Sequence, residues 1–200
     1  MASTEDLIQT LAGQAGGSGS VALVRRGLLV AVFAALAAMV AIVWALWGFR
    51  LDIPMESFLF RIGGALALAI GGFVMVTRAA LPAGGKLLPL FLAPGALLYI
   101  IYAGIDPEMG DEPALACMAG IMFLSLPAFL LLLLALRNAA PTRPAIAGAT
   151  AGLLAGALGT AAHVLTCGND QGLSVLVWYG AAIFVVTGLG ALIGRKALRW

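Results

Sequence analysis

Charged residues are scarce in this chain of 200 residues. Asp, Glu, Lys and Arg together make up 10% of it, whereas 62% of the residues are hydrophobic. Soluble domains carry about 25% charged and about 45–50% apolar residues, and a fold of this size could not remove so much apolar surface from water. The composition therefore excludes a water-soluble domain and a disordered chain, and it predicts an integral membrane protein.

Residues that carry chemistry are also few. The chain has one histidine, His163, and two cysteines, Cys117 and Cys167. No CxxC, HExxH, Walker A or GxSxG pattern occurs. These absences predict a protein that is not an enzyme and that requires no cofactor. The net charge of +2 is too small to argue for nucleic acid as a partner.

Long apolar runs, in contrast, fill most of the sequence. A run of about 20 apolar residues crosses a bilayer as a helix. Six such runs occur: Gly27–Trp47, Ser57–Val76, Leu87–Ala103, Ala114–Leu136, Ala145–Leu165 and Leu173–Ile193. The predicted fold class is an all-α bundle of six transmembrane helices formed by residues 25–200, preceded by a tail of residues 1–24. Pro89 and Pro94 predict a kinked third helix.

The basic residues favour one orientation of these spans. With the N-terminus inside, nine of the eleven Lys and Arg residues are cytoplasmic, and Arg50 and Arg61 are outside. This bias predicts that both termini are cytoplasmic. Arg61 lies one turn inside the second run, and we expect it to reach the surface or an acidic residue, Glu56 or Asp52. The spans contain few other ionisable groups, which argues against the main alternative, a small transporter or metal permease.

The tail has the features of a short docking helix followed by a linker. A Ser–Thr pair precedes two acidic residues, which suits a helix cap and the helix dipole. An apolar stripe follows, and Gly16–Ser20 is a Gly/Ser linker. A helix of about ten residues is marginal alone in water. The segment is therefore either a frayed terminus or a docking peptide for a soluble partner. The docking residues would be Asp6, Leu7, Ile8 and Leu11.

Both cysteines fall on the predicted outer side, Cys117 one turn into the fourth run and Cys167 after the fifth. Met118 and His163 are close to them in sequence. Thiolate, thioether and imidazole form a soft ligand set suited to a regulatory copper or zinc-group ion. Three interpretations stay open: a structural disulfide that closes a loop of about 50 residues, a redox- or metal-responsive pair, and two unrelated buried thiols.

Glycines lie on one face of the fifth run. Gly148, Gly152 and Gly156 are spaced four apart, a pattern typical of close helix–helix packing in membranes. Packing within the chain is the main interpretation, and dimerisation is the alternative.

Several segments match a known family in order along nearly the whole chain. They are Thr4–Ile8, Gly48–Asp52, Leu124–Pro127, Arg143–Gly148, Cys167 with Trp178–Gly180, and Gly194–Trp200. Together they resemble the six-span anti-sigma factors of the NrsF family. The resemblance implies a protein of the Gram-negative inner membrane that holds an extracytoplasmic-function sigma factor inactive and releases it under heavy-metal or oxidative stress.

The resemblance also implies that Cys117 and Cys167 take part in sensing. The family often has His directly before the second cysteine. Here Thr166 takes that place, and His163 lies four residues upstream of Cys167. A metal-binding His–Cys pair would therefore involve His163.

Overall fold

The computed structural model describes residues 18–48, 55–81, 89–108, 114–139, 141–167 and 171–198, and no strand occurs among them. The helices are α1 Ser18–Leu46, α2 Met55–Ala80, α3 Ala93–Ile105, α4 Ala114–Arg137, α5 Pro144–Val164 and α6 Gly172–Ala197. The predicted all-α class is confirmed. The predicted docking residues Asp6, Leu7, Ile8 and Leu11 lie outside the described residues, and α1 already begins inside the Gly/Ser segment.

Five helices of the described chain are long and apolar enough to cross a membrane, and the third run does not form a sixth of that length. Pro89–Leu92 is a 3₁₀ turn, and Pro94 stands in the first turn of α3. Both prolines therefore precede the body of the helix and do not kink it, because proline suits a helix start, where its missing N–H is not needed. The expectation of a kinked third span is corrected to a short helix after a 3₁₀ turn.

Helix α5 is the centre of the bundle. It packs most extensively on α6, and then on α2 and α4. The predicted glycine face is confirmed as packing within the chain. A Cβ on Gly148 would overlap the carbonyl oxygen of Gly190, and one on Gly152 would lie 2.5 Å from the carbonyl oxygen of Val186. The α5 and α6 backbones are thus in direct contact, as small residues permit in a membrane.

Helix α1 lies at the edge of the bundle and contacts mainly α4. Its buried side chains form a single stripe: Leu28, Ala31, Ala35, Met39 and Val43. The other faces of α1 carry exposed apolar side chains, among them Phe33 at 68% and Trp44 at 73% exposure. Such a surface is unfavourable in water and suits a lipid environment. The molecule is therefore built as a membrane protein.

The two ends of the bundle differ in charge. At one end, which we call the basic end, α1, α3 and α5 begin and α2, α4 and α6 finish. The basic residues described there are Arg25, Arg26, Arg78, Arg137, Arg143, Arg195 and Lys196. The opposite end, which we call the thiol end, has both cysteines and the described acidic residues Glu56, Asp106 and Glu108.

Candidate functional site

The C-terminal end of α5 places His163 and Cys167 on one face. The main-chain N–H groups of Thr166 and Cys167 donate to the carbonyl oxygen of His163 at 2.9 and 3.1 Å. The Thr166 hydroxyl donates to the same oxygen at 2.9 Å. The helical path thus continues for one turn beyond the end of α5, and residues four apart on such a path are neighbours. This spacing, which brings two ligands together on a helix, was a usable signal in the sequence.

Cys117 joins this pair from α4. The Sγ atoms of Cys117 and Cys167 and a ring nitrogen of His163 all lie within 4.8 Å of one another. Cys117 and His163 are buried, at 6% exposure each. The sequence left open that the two cysteines are unrelated, but the structure brings them together with the single histidine. We call these three residues the thiol cluster.

Gly120 makes room for the histidine. It lies three residues after Cys117 on α4, and a Cβ added to it would lie 2.9 Å from Cε1 of His163. Any side chain at this position would have to displace the imidazole ring. Sequence inspection gave no reason to single out Gly120, because the requirement for a glycine comes from a residue 43 positions away in α5.

The ligand types of the thiol cluster fit a soft metal ion. Two cysteines and a histidine are a frequent set for zinc, and copper(I) also prefers sulfur. Around a tetrahedral ion with bonds of about 2.3 Å, sulfur ligands stand about 3.8 Å apart. Ligand atoms that already lie within 4.8 Å can reach such positions through small side-chain rotations. The same proximity suits a pair of thiols that forms a disulfide on oxidation.

A cavity of about 190 Å³ opens beside the cluster. Its remaining lining residues are Trp47, Ala116, Gly120, Leu124 and Thr166. The cavity has room for an ion with coordinated water. It lies where α1, α4 and α5 meet at the thiol end, so that the contents of the cavity would touch three helices.

Arg61 is a further residue of this region. Of the two alternatives predicted for it, the position at the surface is wrong, and the predicted acidic partner Asp52 lies outside the described residues. The side chain is 1% exposed, and one guanidinium nitrogen donates to the carbonyl oxygen of Cys167 at 2.8 Å. The same nitrogen lies 3.4 Å from the hydroxyl of Tyr179. A buried guanidinium is tolerated only where it is well hydrogen-bonded. Arg61 thus fixes the main chain at Cys167 to α2, a role that required the tertiary structure to recognise.

Tyr179 connects Arg61 to the histidine. Its ring packs edge-on against His163 with the ring centres 5.7 Å apart. It is the last residue of a π-helical segment, Val175–Tyr179, within α6. Such segments are rare and often occur at functional sites. Sequence patterns did not predict this π-helical segment.

Met118, the fourth predicted ligand, is not among the residues that line the cavity. It packs against a small apolar cluster that includes Tyr99, Tyr102 and Tyr179. One acidic residue of the thiol end, Asp106, has a structural role. The main-chain N–H of Gly172 donates to Oδ2 of Asp106 at 3.1 Å, which ties the start of α6 to the end of α3.

Comparison with known proteins gives a consistent result. A family model described as "Negative regulator of sigma F" matches residues 17–200. A probable anti-sigma-F factor NrsF of Azospira oryzae is 29% identical, over 98% of this chain and 99% of the relative. The anti-sigma-F factor NrsF of Caulobacter vibrioides is 31% identical, over 98% of this chain and 99% of the relative. No solved structure matches.

The matched region includes all six helices together with the thiol cluster, and the relatives align over almost their whole length. The chain therefore belongs to the NrsF family of negative regulators of sigma factor F.

Proposed function

We propose that this chain sequesters an extracytoplasmic-function sigma factor at the bacterial inner membrane and releases it when a periplasmic heavy-metal or redox signal reaches Cys117 and Cys167. The observation that carries the proposal is the thiol cluster, in which two cysteines far apart in sequence meet a histidine within 4.8 Å. It lies at the end of the bundle opposite the basic end. A signal on one side of a membrane could therefore act on a partner at the other.

The proposed orientation rests on charge. Seven basic residues stand at the basic end of the described chain, and the positive-inside rule puts such an end in the cytoplasm. Both termini are then cytoplasmic, and α3 with its preceding 3₁₀ turn completes six crossings. In this orientation the thiol cluster is on the periplasmic side, where metal ions and oxidants arrive first.

The sigma factor is proposed to bind the tail. Its apolar stripe of Leu7, Ile8 and Leu11, with Asp6 in the first turn, would dock on the partner in the manner of an amphipathic helix in a groove. The basic loops around Arg78 and Arg137 could add contacts to acidic surface on the sigma factor. The positive-inside rule alone also explains those basic residues, so the tail is the primary site of the proposal.

Two chemical events at the cluster can produce the signal. A soft metal ion binds both sulfurs as thiolates, with His163 as the third ligand, and two protons are released. Alternatively, the two thiols lose two protons and two electrons to hydrogen peroxide, which becomes two water molecules as the disulfide forms. Reversing a 99:1 equilibrium requires about 5.5 kcal/mol of differential affinity. Bonds to sulfur that form in only one conformation supply energy of that order.

Transport is the main alternative function, and the hydrogen bonds of the buried hydroxyl groups argue against it. Thr150 donates to the carbonyl oxygen of Ala147, and Thr160 donates to that of Gly156. These hydroxyls are bonded within their own helix, as is common in membranes, and are not arranged as a polar path. Uptake of metal by vesicles that contain the purified chain would contradict the proposal.

The sensing half of the proposal is tested by replacing both cysteines. Cells with Cys117→Ser and Cys167→Ser together should show no induction of sigma-dependent transcription by cadmium or peroxide. The single variants Cys117→Ser and Cys167→Ser distinguish metal binding from disulfide formation. A metal ion held by the remaining sulfur and His163 would bind more weakly, so the response to cadmium should weaken. A disulfide between the pair could no longer form, so the response to peroxide should be lost completely. Full induction in the double variant would contradict sensing at these residues.

The binding half is tested in the tail. Leu7→Asp should raise sigma-dependent transcription in the absence of inducer, because it puts a charge in the apolar stripe. Gln9→Asp is the matched control, since it adds the same charge away from the stripe. Copurification with the tagged chain, with the partner identified as a sigma factor, gives the direct readout. Equal binding by both variants would place the docking site outside the tail.

A further inference from the structure

Trp47, which directly follows the last residue of α1, is the single residue from this end of α1 that lines the cavity beside the thiol cluster. The residue is 53% exposed, and its ring packs edge-on against Phe123 of α4 with the ring centres 6.3 Å apart. Whatever enters the cavity beside Cys117 therefore meets a large side chain of α1. No proposal made so far assigns a role to this contact.

The end of α1 holds Trp47 firmly to the helix. The main-chain N–H groups of Trp47 and Gly48 both donate to the carbonyl oxygen of Val43, at 3.0 and 2.9 Å. Gly48 has a φ of 72°, the left-handed conformation that closes many helices. Because these hydrogen bonds tie Trp47 to the last turn of the helix, a displacement of the Trp47 ring moves the helix itself and not merely the residues that follow it.

Helix α1 is also the helix that is freest to shift. The α5–α6 and α4–α5 interfaces are locked by glycines in direct backbone contact. For example, a Cβ on Gly159 would lie 2.8 Å from the carbonyl oxygen of Ile121. In contrast, Gly27 of α1 has nothing within 4 Å of its Cβ position. A single stripe of side chains holds α1, mainly on α4, and side chains can slide or change rotamer where a backbone contact cannot.

The start of α1 adjoins the proposed docking tail. The helix begins at Ser18, at the basic end, and the tail precedes it directly in the sequence. One continuous helix of 29 residues therefore joins the wall of the cavity to the segment proposed to bind the sigma factor. A helix of that length spans about 43 Å, enough to cross the bilayer.

We propose that Trp47 is the residue through which α1 detects occupancy of the cavity, and that a shift of α1 against α4 transmits the signal to the tail. The inference rests on the proposed function and specifies its route. A metal ion at the thiol cluster displaces the Trp47 ring, α1 moves relative to the glycine-locked helices, and the tail loses its docking geometry. Trp47 is thus a positioning residue and not a metal ligand.

The first test uses tryptophan fluorescence. The variant with Trp44→Phe, Trp178→Phe and Trp200→Phe keeps Trp47 alone, and a matched variant with Trp47→Phe, Trp178→Phe and Trp200→Phe keeps Trp44 alone. Trp44 lies one turn earlier in the same helix, is 73% exposed and does not line the cavity. Cadmium ion added to the purified chain in detergent should change the emission of Trp47 by more than 20% and leave that of Trp44 unchanged. Cys117→Ser with Cys167→Ser should abolish the change.

The second test measures transmission. The affinity of the sigma factor for the purified chain is determined with and without cadmium. In the wild type and in Trp44→Ala, cadmium should raise the Kd for the sigma factor at least tenfold. In Trp47→Ala the ratio of the Kd with cadmium to the Kd without it should approach one. Trp47→Phe, which retains an aromatic ring, should restore part of the ratio. This rescue separates detection by the ring from a general loss of packing at the end of α1.

The outcomes separate this inference from the proposed function. If cadmium binds the cysteines and releases the sigma factor while Trp47 emission stays constant, the route through Trp47 is overturned and the function stands. The same conclusion holds if Trp47→Ala keeps the full affinity ratio. If cadmium does not bind to the cysteines, the sensing function is overturned together with the route that depends on it.

Discussion

Helix α5 and helix α1 are held in the bundle in opposite ways. On α5, 15 residues are buried, and its glycines put the backbone in direct contact with α6. On α1 a single stripe is buried, and most of its surface is exposed and apolar. Backbone contacts permit no adjustment, whereas a stripe of side chains does. His163, the proposed ligand, therefore stands on the fixed part of the bundle, while Trp47 lines the cavity from the end of the helix that we propose to move.

The largest effect is expected from a side chain in the α5–α6 contact. In Gly148→Ala the added methyl would overlap the carbonyl oxygen of Gly190, so the two helices must separate. We expect a loss of about 3 kcal/mol or more in the free energy of unfolding. Gly188→Ala in α6 is the control, because nothing lies within 4 Å of its Cβ position. Unfolding in a denaturing detergent measures both. Equal stability of the two variants would mean that α5 is not locked.

A smaller effect is expected from the buried arginine that holds the main chain just after α5 at the thiol end. Arg61→Met removes the 2.8 Å hydrogen bond to the carbonyl oxygen of Cys167, and the loss of a hydrogen bond to a charged group costs about 1.5–3 kcal/mol. Cys167 would also become more mobile, so its rate of alkylation by a maleimide should rise. Arg195→Met, at an exposed position, serves as the control. If both variants alkylate at the wild-type rate, Arg61 does not position Cys167.

Gly120→Ala should change the thiol cluster without changing the contacts that fix α5. The new methyl would lie 2.9 Å from the imidazole of His163 and would displace the ring, while the backbone contacts of α5 remain. Changes that disturb the orientation of a metal-binding histidine weaken metal affinity by about 10–100-fold, and we expect a loss in that range here. Gly104→Ala in α3, where nothing lies within 4 Å, should bind as the wild type does. Cadmium titration measures the affinities, and an unchanged value in Gly120→Ala would show that His163 is not a ligand.

The smallest effect is expected at the end of α1. Gly48→Ala meets no neighbouring atom, so its cost is only that of a φ of 72°, about 1 kcal/mol. The variant should fold normally but loosen the turn that holds Trp47. Gly27→Ala, also without neighbours, is the matched change at the other end of the same helix. Emission of a Trp47-only protein should broaden in Gly48→Ala and stay constant in Gly27→Ala. Identical spectra would indicate that the cap does not hold the ring.

Much of the fold could be predicted because apolar runs and loop charges are local properties of a sequence. The long helices α2, α4, α5 and α6 follow from the length of their apolar runs, and the glycine spacing in α5 predicted its close packing. The prediction of a kinked third span was wrong because Pro94 can either kink a helix or start one, and the packing of its neighbours decides between these.

The residues of the thiol cluster could be found in the sequence, but the residues that surround them could not. The sequence placed Cys117, Cys167 and His163 at one end of the bundle, and helical spacing linked the last two. Arg61 could not be recognised, because an arginine near the end of a span can reach the surface or turn inward, and its partners Cys167 and Tyr179 are more than 100 residues away. The need for Gly120 likewise depends on a contact between helices.

The central claim is that the thiol cluster and the sigma factor act on each other from opposite ends of the bundle. It is tested most directly in sealed vesicles that contain the chain with its basic end outward, the sigma factor bound outside and cadmium enclosed inside. The account predicts that enclosed cadmium releases the sigma factor from the wild type and not from Cys117→Ser with Cys167→Ser. Release only by external cadmium, or equal release from the double variant, would contradict it.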